Sequence, residues 1–251
     1  MTAVQGSTVE IRTADGTADA YFTHPDDGAA HPSVLFYMDA FGLRPQLRKM
    51  ADRLAAAGYT VLAPNVFYRS ARTPVIELPD FIGGENREGL FAPLMPMIAT
   101  LTPDAAVSDA DAYLTWLAAR PESDGRPVGV TGYCMGARLA LLTAGRHSDR
   151  VAAAAGFHGG RLFTDAPDSP HLVAPDVTAE LYFGHADDDG GNTPEQQAGL
   201  AKALTEAGVR HTAELYPGAQ HGYTMADTDK YDEQAAERHW AALLDLFGRN
   251  L

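Results

Sequence analysis

The chain has 251 residues, 45% hydrophobic and 21% charged, a composition that packs a globular core and excludes a disordered chain over most of its length. Nineteen basic against thirty-three acidic residues leave a formal net charge of −14, a field that repels phosphate and anionic headgroups and argues against nucleic-acid and membrane-surface partners. A single cysteine closes no internal disulfide, which removes the disulfide-framework class and singles out that one sulfur.

The segment from Met1 to Gly6 has neither a basic n-region nor an apolar h-region, and no later run approaches 18 apolar residues, so a cytoplasmic protein is expected. Segments around Val9 to Arg12 and Ala18 to Phe22 flank Asp15-Gly16 and predict an opening hairpin. The apolar run Ser33 to Met38, the helical spacing of Gln46 to Ala57 ending at Gly58, and the apolar Thr60 to Pro64 together predict a βαβ unit. The alternation resumes as Val107 to Leu117 (helix), Pro127 to Thr131 (strand), Gly136 to Thr143 (helix), Val151 to Phe157 (strand) and Ala179 to Phe183 (strand). It closes with Pro194 to Ala207 (helix), Thr212 to Tyr216 (strand) and Asp232 to Phe247 (helix). Strands alternating with helices imply a mostly parallel sheet covered on both faces, the α/β class. With no fixed-period repeat and no linker-like stretch, one domain over residues 1–251 is expected. The stretch Asn65 to Pro103, rich in Pro and Gly with little periodicity, is expected to be a long connection roofing a site at the strand C-termini.

Gly132-Tyr133-Cys134-Met135-Gly136 lies between an apolar strand and a helical segment. That is the context of a sharp strand–turn–helix elbow, where a nucleophile takes a strained backbone and flanking glycines avoid collision with neighbouring elements. The following helix turns its positive end toward the sulfur, which favours the reactive thiolate. The alternative is a buried structural cysteine. In such elbows a carboxylate and then a histidine follow the nucleophile in the chain. Asp187, past the apolar Leu181-Tyr182-Phe183, and His221, in Gly218-Ala219-Gln220-His221-Gly222 after the next strand, occupy those places. Asp187, with Asp188 and Asp189 beside it, also reads as a solvated acidic turn or a weak cation loop. No metal-ligand register and no dinucleotide fingerprint occurs, so neither metal nor cofactor is expected.

These residues, with Met38-Asp39-Ala40-Phe41-Gly42 after the first long strand, resemble the dienelactone hydrolase (carboxymethylenebutenolidase) family of the α/β-hydrolases, from about Ser33 to Phe247. The resemblance implies that the position of Asp39 is a glutamate that contacts the resting cysteine and helps to move its proton; here it is one methylene shorter. It implies an oxyanion hole from the backbone N–H groups of Met135 and Ala40. It also implies two arginines for a substrate carboxylate: one matches Arg87, with the aromatic Phe91 four residues on, unless Arg87 is simply solvated, and the other falls at Met225. Tyr133 and His158 complete the candidate substrate contacts.

The reading is an ester or lactone hydrolase, carboxymethylenebutenolidase-like, working through a thioester on Cys134 with His221, Asp187 and Asp39. Its partner is a small-molecule ester or lactone, and it is a monomer or small homo-oligomer. The alternatives are a broad-specificity carboxylesterase or thioesterase on the same scaffold, and a non-catalytic module that binds small molecules.

Overall fold

The computed structural model describes residues 2–251, so Met1 of the opening segment lies outside it. The chain forms one eight-stranded sheet in the order β1-β2-β4-β3-β5-β6-β7-β8. The hairpin is longer than its sequence signal, β1 (Val4–Thr13) pairing antiparallel with β2 (Gly16–Pro25) through ten residue pairs. β2 also runs antiparallel to β4 (Thr60–Pro64), while β3 (Ser33–Tyr37), β4, β5 (Val128–Tyr133), β6 (Val151–Phe157), β7 (Glu180–Asp188) and β8 (His211–Gln220) are mutually parallel. The central strands are buried along nearly their whole length, which is why they read as apolar runs and not as alternating ones.

Among the described residues six α-helices surround the sheet: α1 (Pro45–Ala56), α2 (Gly84–Ala99), α3 (Pro103–Ala118), α4 (Met135–Arg146), α5 (Pro194–Glu206) and α6 (Glu233–Asn250). A side chain at Gly129 would strike Phe247 of α6, whereas one at Gly132 would strike the backbone of α4. Positions three apart on a strand face opposite ways, so α6 and α4 cover opposite faces. Arg53 of α1 joins Glu237 and Trp240 of α6, and α3 packs on α4. The caps follow local chemistry: Thr102 accepts from Ala105 N with Pro103 behind it, and Thr193 and Gln196 form a reciprocal capping box.

Two segments depart from the expected pattern. The stretch after β4 holds a full helix, α2, with Pro93 and Pro96 inside it and only Leu94 buried. A helix apolar on several faces has no 3.6-residue stripe to read. A 3₁₀ segment, Pro170–Asp176, also packs on α4. Among the described residues no single helix is long and apolar enough to cross a membrane.

From β3 the chain moves outward to β4, then returns across β3 to β5. Ligand crevices of parallel sheets open where strand order reverses in this way. The residues just past β3 and β5 are Met38-Asp39-Ala40 and Cys134.

Candidate active site

Cys134 occupies the turn from β5 into α4 at φ 53° and ψ −113°, backbone values that cost an L-residue strain and are tolerated where the surroundings fix them. Both glycines of the elbow are sterically required. A Cβ on Gly132 would overlap the Gly136 carbonyl, and one on Gly136 would stand 2.5 Å from the Met38 oxygen. Cys134 N donates to Phe157 O at 3.0 Å, tying the turn to the end of β6. Among the described residues the N–H groups of Met135 and Ala40 find no acceptor in the protein, leaving two donors beside the sulfur of the kind that an oxyanion hole needs.

His221 directly follows β8, and its Nδ1 lies 2.7 Å from Asp189 Oδ2. The Asp189 carboxylate is buried, with 3% of its side chain exposed against 33% for His221. Burial opposes a charged imidazole, but the Cys134 sulfur and the Asp189 carboxylate outweigh it and push the His221 pKa up to about 10. The aspartate is thus not the expected Asp187. That side chain is exposed and accepts from Gly218 N at 2.9 Å. β7 runs on through a register shift to Asp188, five residues beyond Phe183, so the first residue past the strand is Asp189. Asp189, not Asp187, is therefore the carboxylate that stands just past this strand.

Asp39 lines the same site as Cys134 and is held by a cation. Its Oδ1 and Oδ2 accept from Arg44 Nη1 and Nη2 at 2.6 and 3.0 Å, and Oδ1 also accepts from Phe41 N at 3.0 Å. Arg44 is itself buried and donates through Nε and Nη2 to Asp227 at 2.6 and 3.1 Å. Burial opposes its charge, and the two aspartates more than restore it, holding the guanidinium firmly protonated. The carboxylate is therefore engaged by a fixed cation on both oxygens, because the aspartate is short and Arg44 reaches it from the start of α1.

A small cavity is lined by Cys134, His221, Asp39, Ala40, Phe41 and Arg87, with Phe91, His158 and Met225 also in its wall. Arg87 and Phe91 come from α2, so the expected roof is a helix. The rings of Phe41 and Phe91 meet at 4.9 Å, and Arg87 Nη2 donates to Asp229. His158 is fully buried at φ 39°. Its Nε2 lies 2.7 Å from Thr224 Oγ1, and its Nδ1 is buried without a partner. Burial, aided by the charges of His221 and His239, drives its pKa well below 6.5. Tyr133 departs from expectation as well: its side chain points into the core, stacks on Phe157 and meets His239 Nε2 at 3.0 Å. It lines no part of the cavity because the residue before the elbow still belongs to β5 and faces the sheet interior. A larger groove beyond Phe41 and Arg44, walled by Leu43, Pro45, Val75, Ile76 and Leu78, contains neither Cys134 nor His221. No His, Cys, Asp or Glu cluster suited to a metal ion occurs among the described residues.

The profile of the dienelactone hydrolase family matches residues 18–251. The chain belongs to that family. The carboxymethylenebutenolidase 1 of Cupriavidus pinatubonensis is 26% identical over 243 residues, covering 95% of this chain and 94% of that protein. Among solved structures, a provisionally named dienelactone hydrolase from Klebsiella pneumoniae superposes with a TM-score of 0.85 at 23% identity, over 98% of this chain and 99% of that one. A dienelactone hydrolase from Anabaena variabilis gives 0.69 at 20% identity over 99% of both chains. The eight-stranded mixed sheet is that of the α/β-hydrolases, and as a dienelactone hydrolase relative the protein is a hydrolase.

Proposed function

We propose that this dienelactone hydrolase relative cleaves esters or lactones through a thioester on Cys134, with His221 and Asp189 as the other two members of the triad. The observation that carries the reading is His221 held between Cys134 and a buried aspartate at 2.7 Å. A histidine so placed can take the proton of the sulfur as an imidazolium, and the thiolate so formed is the nucleophile. The sulfur attacks the substrate carbonyl carbon, and the oxygen takes the negative charge toward the N–H groups of Met135 and Ala40. As the tetrahedral adduct collapses, the bond to the leaving oxygen breaks and His221 gives that oxygen its proton. Water then adds to the thioester carbon while His221 removes its proton, and release of the acid restores the thiolate and imidazolium. Asp189 orients the ring and stabilises its charge throughout. No step requires a metal or an organic cofactor.

The test is turnover of a panel of lactones, aryl esters and thioesters, with trapping of the acyl-enzyme by mass spectrometry. Cys134→Ala is expected to lose at least about a thousandfold in kcat while keeping its fold. His221→Ala added to it is expected to cost no more, since members of a triad act as one unit. Retention of more than about a tenth of kcat by Cys134→Ala would remove the nucleophile assignment. The same panel separates a lactonase from a broad carboxylesterase or thioesterase.

A further inference from the structure

We infer that the groove beyond Phe41 takes an apolar arm of the substrate, an aliphatic or aryl chain carried by the ester, a conclusion that rests on the ester-hydrolase reading above and narrows it. The space over Cys134 is about 40 Å³, and the groove is about 580 Å³. Sites that enclose a whole small molecule run to about 300 to 1,000 Å³. The space over the sulfur therefore receives the reacting carboxyl group and little more, and the rest of an ester has to lie beside it.

Phe41 is common to both walls. It follows Ala40, whose N–H serves the carbonyl oxygen in the mechanism above, so an ester seated there has the Phe41 ring as its neighbour. The ring is held by Phe91 at 4.9 Å and by the guanidinium groups of Arg44 and Arg87, 5.7 and 5.8 Å from its centre. Beyond it stand Leu43, Pro45, Pro74, Val75, Ile76 and Leu78. Val75, Ile76 and Leu78 are only half-buried and belong to a segment without helix or strand. That segment is nevertheless fixed. Asn65 Nδ2 donates to Ala71 O at 2.8 Å, and Thr73 N to Asp19 Oδ2 at 3.0 Å. Gly42, at φ 86°, lies directly under it, since a Cβ there would stand 2.8 Å from Val75 Cγ2. The apolar wall is thus pressed onto the turn that carries Phe41, and the groove exists before any ligand arrives. Its charged members are engaged or turned outward: Arg44 is tied to Asp39 and Asp227, the Arg48 guanidinium lies over the Tyr21 ring, and Glu77 is exposed. An apolar chain laid along Val75, Ile76 and Leu78 leaves water together with them, which is the gain that selects it.

The experiment measures kcat/KM along two series, 4-nitrophenyl esters of lengthening acyl chain from acetate to octanoate, and acetates of alcohols of the same lengths. Binding is read by calorimetry on Cys134→Ala with methyl ketones of matching length, which it cannot cleave. In one of the two ester series kcat/KM is expected to rise by about two- to fourfold for each methylene, and that series identifies the arm in the groove. Ketone affinity is expected to rise likewise. Ile76→Asp and Val75→Asp are each expected to flatten both slopes, and Leu172→Asp, an exposed apolar position outside both walls, to leave them as they are. Failure of the wild type to cleave any ester, with ketone affinity still rising by length and flattened by Ile76→Asp, would sink the ester-hydrolase reading and leave this inference standing. Turnover of esters with no dependence on length in either series would overturn it. So would a slope that survives in both aspartate variants, or ketone binding that Ile76→Asp abolishes while the kinetic slope persists, because the groove would then be separate from the path of the substrate.

Discussion

Two buried aspartates flank the cavity and each holds a cation, yet they serve different ends. Asp189 meets an imidazole, 3% and 33% of the two side chains being exposed, and Asp39 meets a guanidinium, at 4% and 5%. The imidazole can give up its proton within the range of ordinary chemistry, and the guanidinium cannot. In the proposed mechanism the first pair is thus the place where a proton is held and released. The second is a strut: Arg44 joins Asp39, beside Ala40 after β3, to Asp227 in the segment that follows His221. The same acid becomes reagent or scaffold according to the partner that the fold brings to it.

The sharpest way to break this comparison is at the first pair. Asp189→Asn is expected to lower kcat by about 10² to 10⁴, as loss of the orienting carboxylate does in other triads, whereas Asp187→Asn is expected to leave it nearly unchanged. Without the Asp189 charge the His221 pKa falls, so the alkaline limb of the kcat/KM profile moves to lower pH. An unaltered profile, or a large loss at Asp187 instead, would return the role to the surface carboxylate.

At the strut, Arg44→Lys keeps the charge and gives up the fork that spans two carboxylates. It is expected to lower kcat by about tenfold through a loosened Ala40 N–H, with KM little changed and a measurable loss in chemical denaturation. Arg44→Met, which strands the buried Asp39 carboxylate and the partly exposed one of Asp227, is expected to cost about 3 kcal/mol in stability. A kcat for Arg44→Lys equal to that of the wild type would reduce the strut to a purely structural contact.

Another histidine gives the contrast without a salt-bridging acid. Burial depresses His185 from 6.5 to about 4 despite the nearby charge of Asp189; its Nδ1 meets Asn192 at 3.0 Å and its Nε2 is unpartnered. Below pH 6.5 the unfolded chain binds a proton that the folded chain refuses. Stability due to this group is therefore complete above 6.5 and falls by up to about 1.4 kcal/mol per pH unit down to about 4. Urea titrations at pH 7 and pH 5 are expected to show that loss, and His185→Leu to flatten it.

The smallest effect belongs to Tyr133. Removing its hydroxyl breaks the contact with buried His239, so Tyr133→Phe is expected to lose about 1 kcal/mol of stability with kcat and KM unchanged. A changed KM would put the ring back at the substrate.

Much of the fold was legible in local pattern. Val34 to Tyr37, Thr60 to Pro64 and Val151 to Phe157 announce buried parallel strands because both their faces are covered. The glycines about Cys134 announce the elbow because only a missing Cβ clears the α4 backbone and the Met38 carbonyl. His221 followed from the order of elements alone. α2 was hidden, since its apolar residues fall on several faces and its prolines resemble those of a loop. Asp187, Asp188 and Asp189 are alike as letters. Only the pairing of β7 with β8, which carries the strand past Ala186, decides which carboxylate reaches the histidine.

The sequence by itself determined the class of sheet, the strained turn under the sulfur and the histidine after the last strand, because each depends on neighbours within a few positions. The tertiary structure alone decided how the charges are distributed. Arg44 reaches Asp227 across 183 positions and Arg87 reaches Asp229 across 142. An ion pair forms where two segments are pressed together away from water, and no local pattern specifies that meeting.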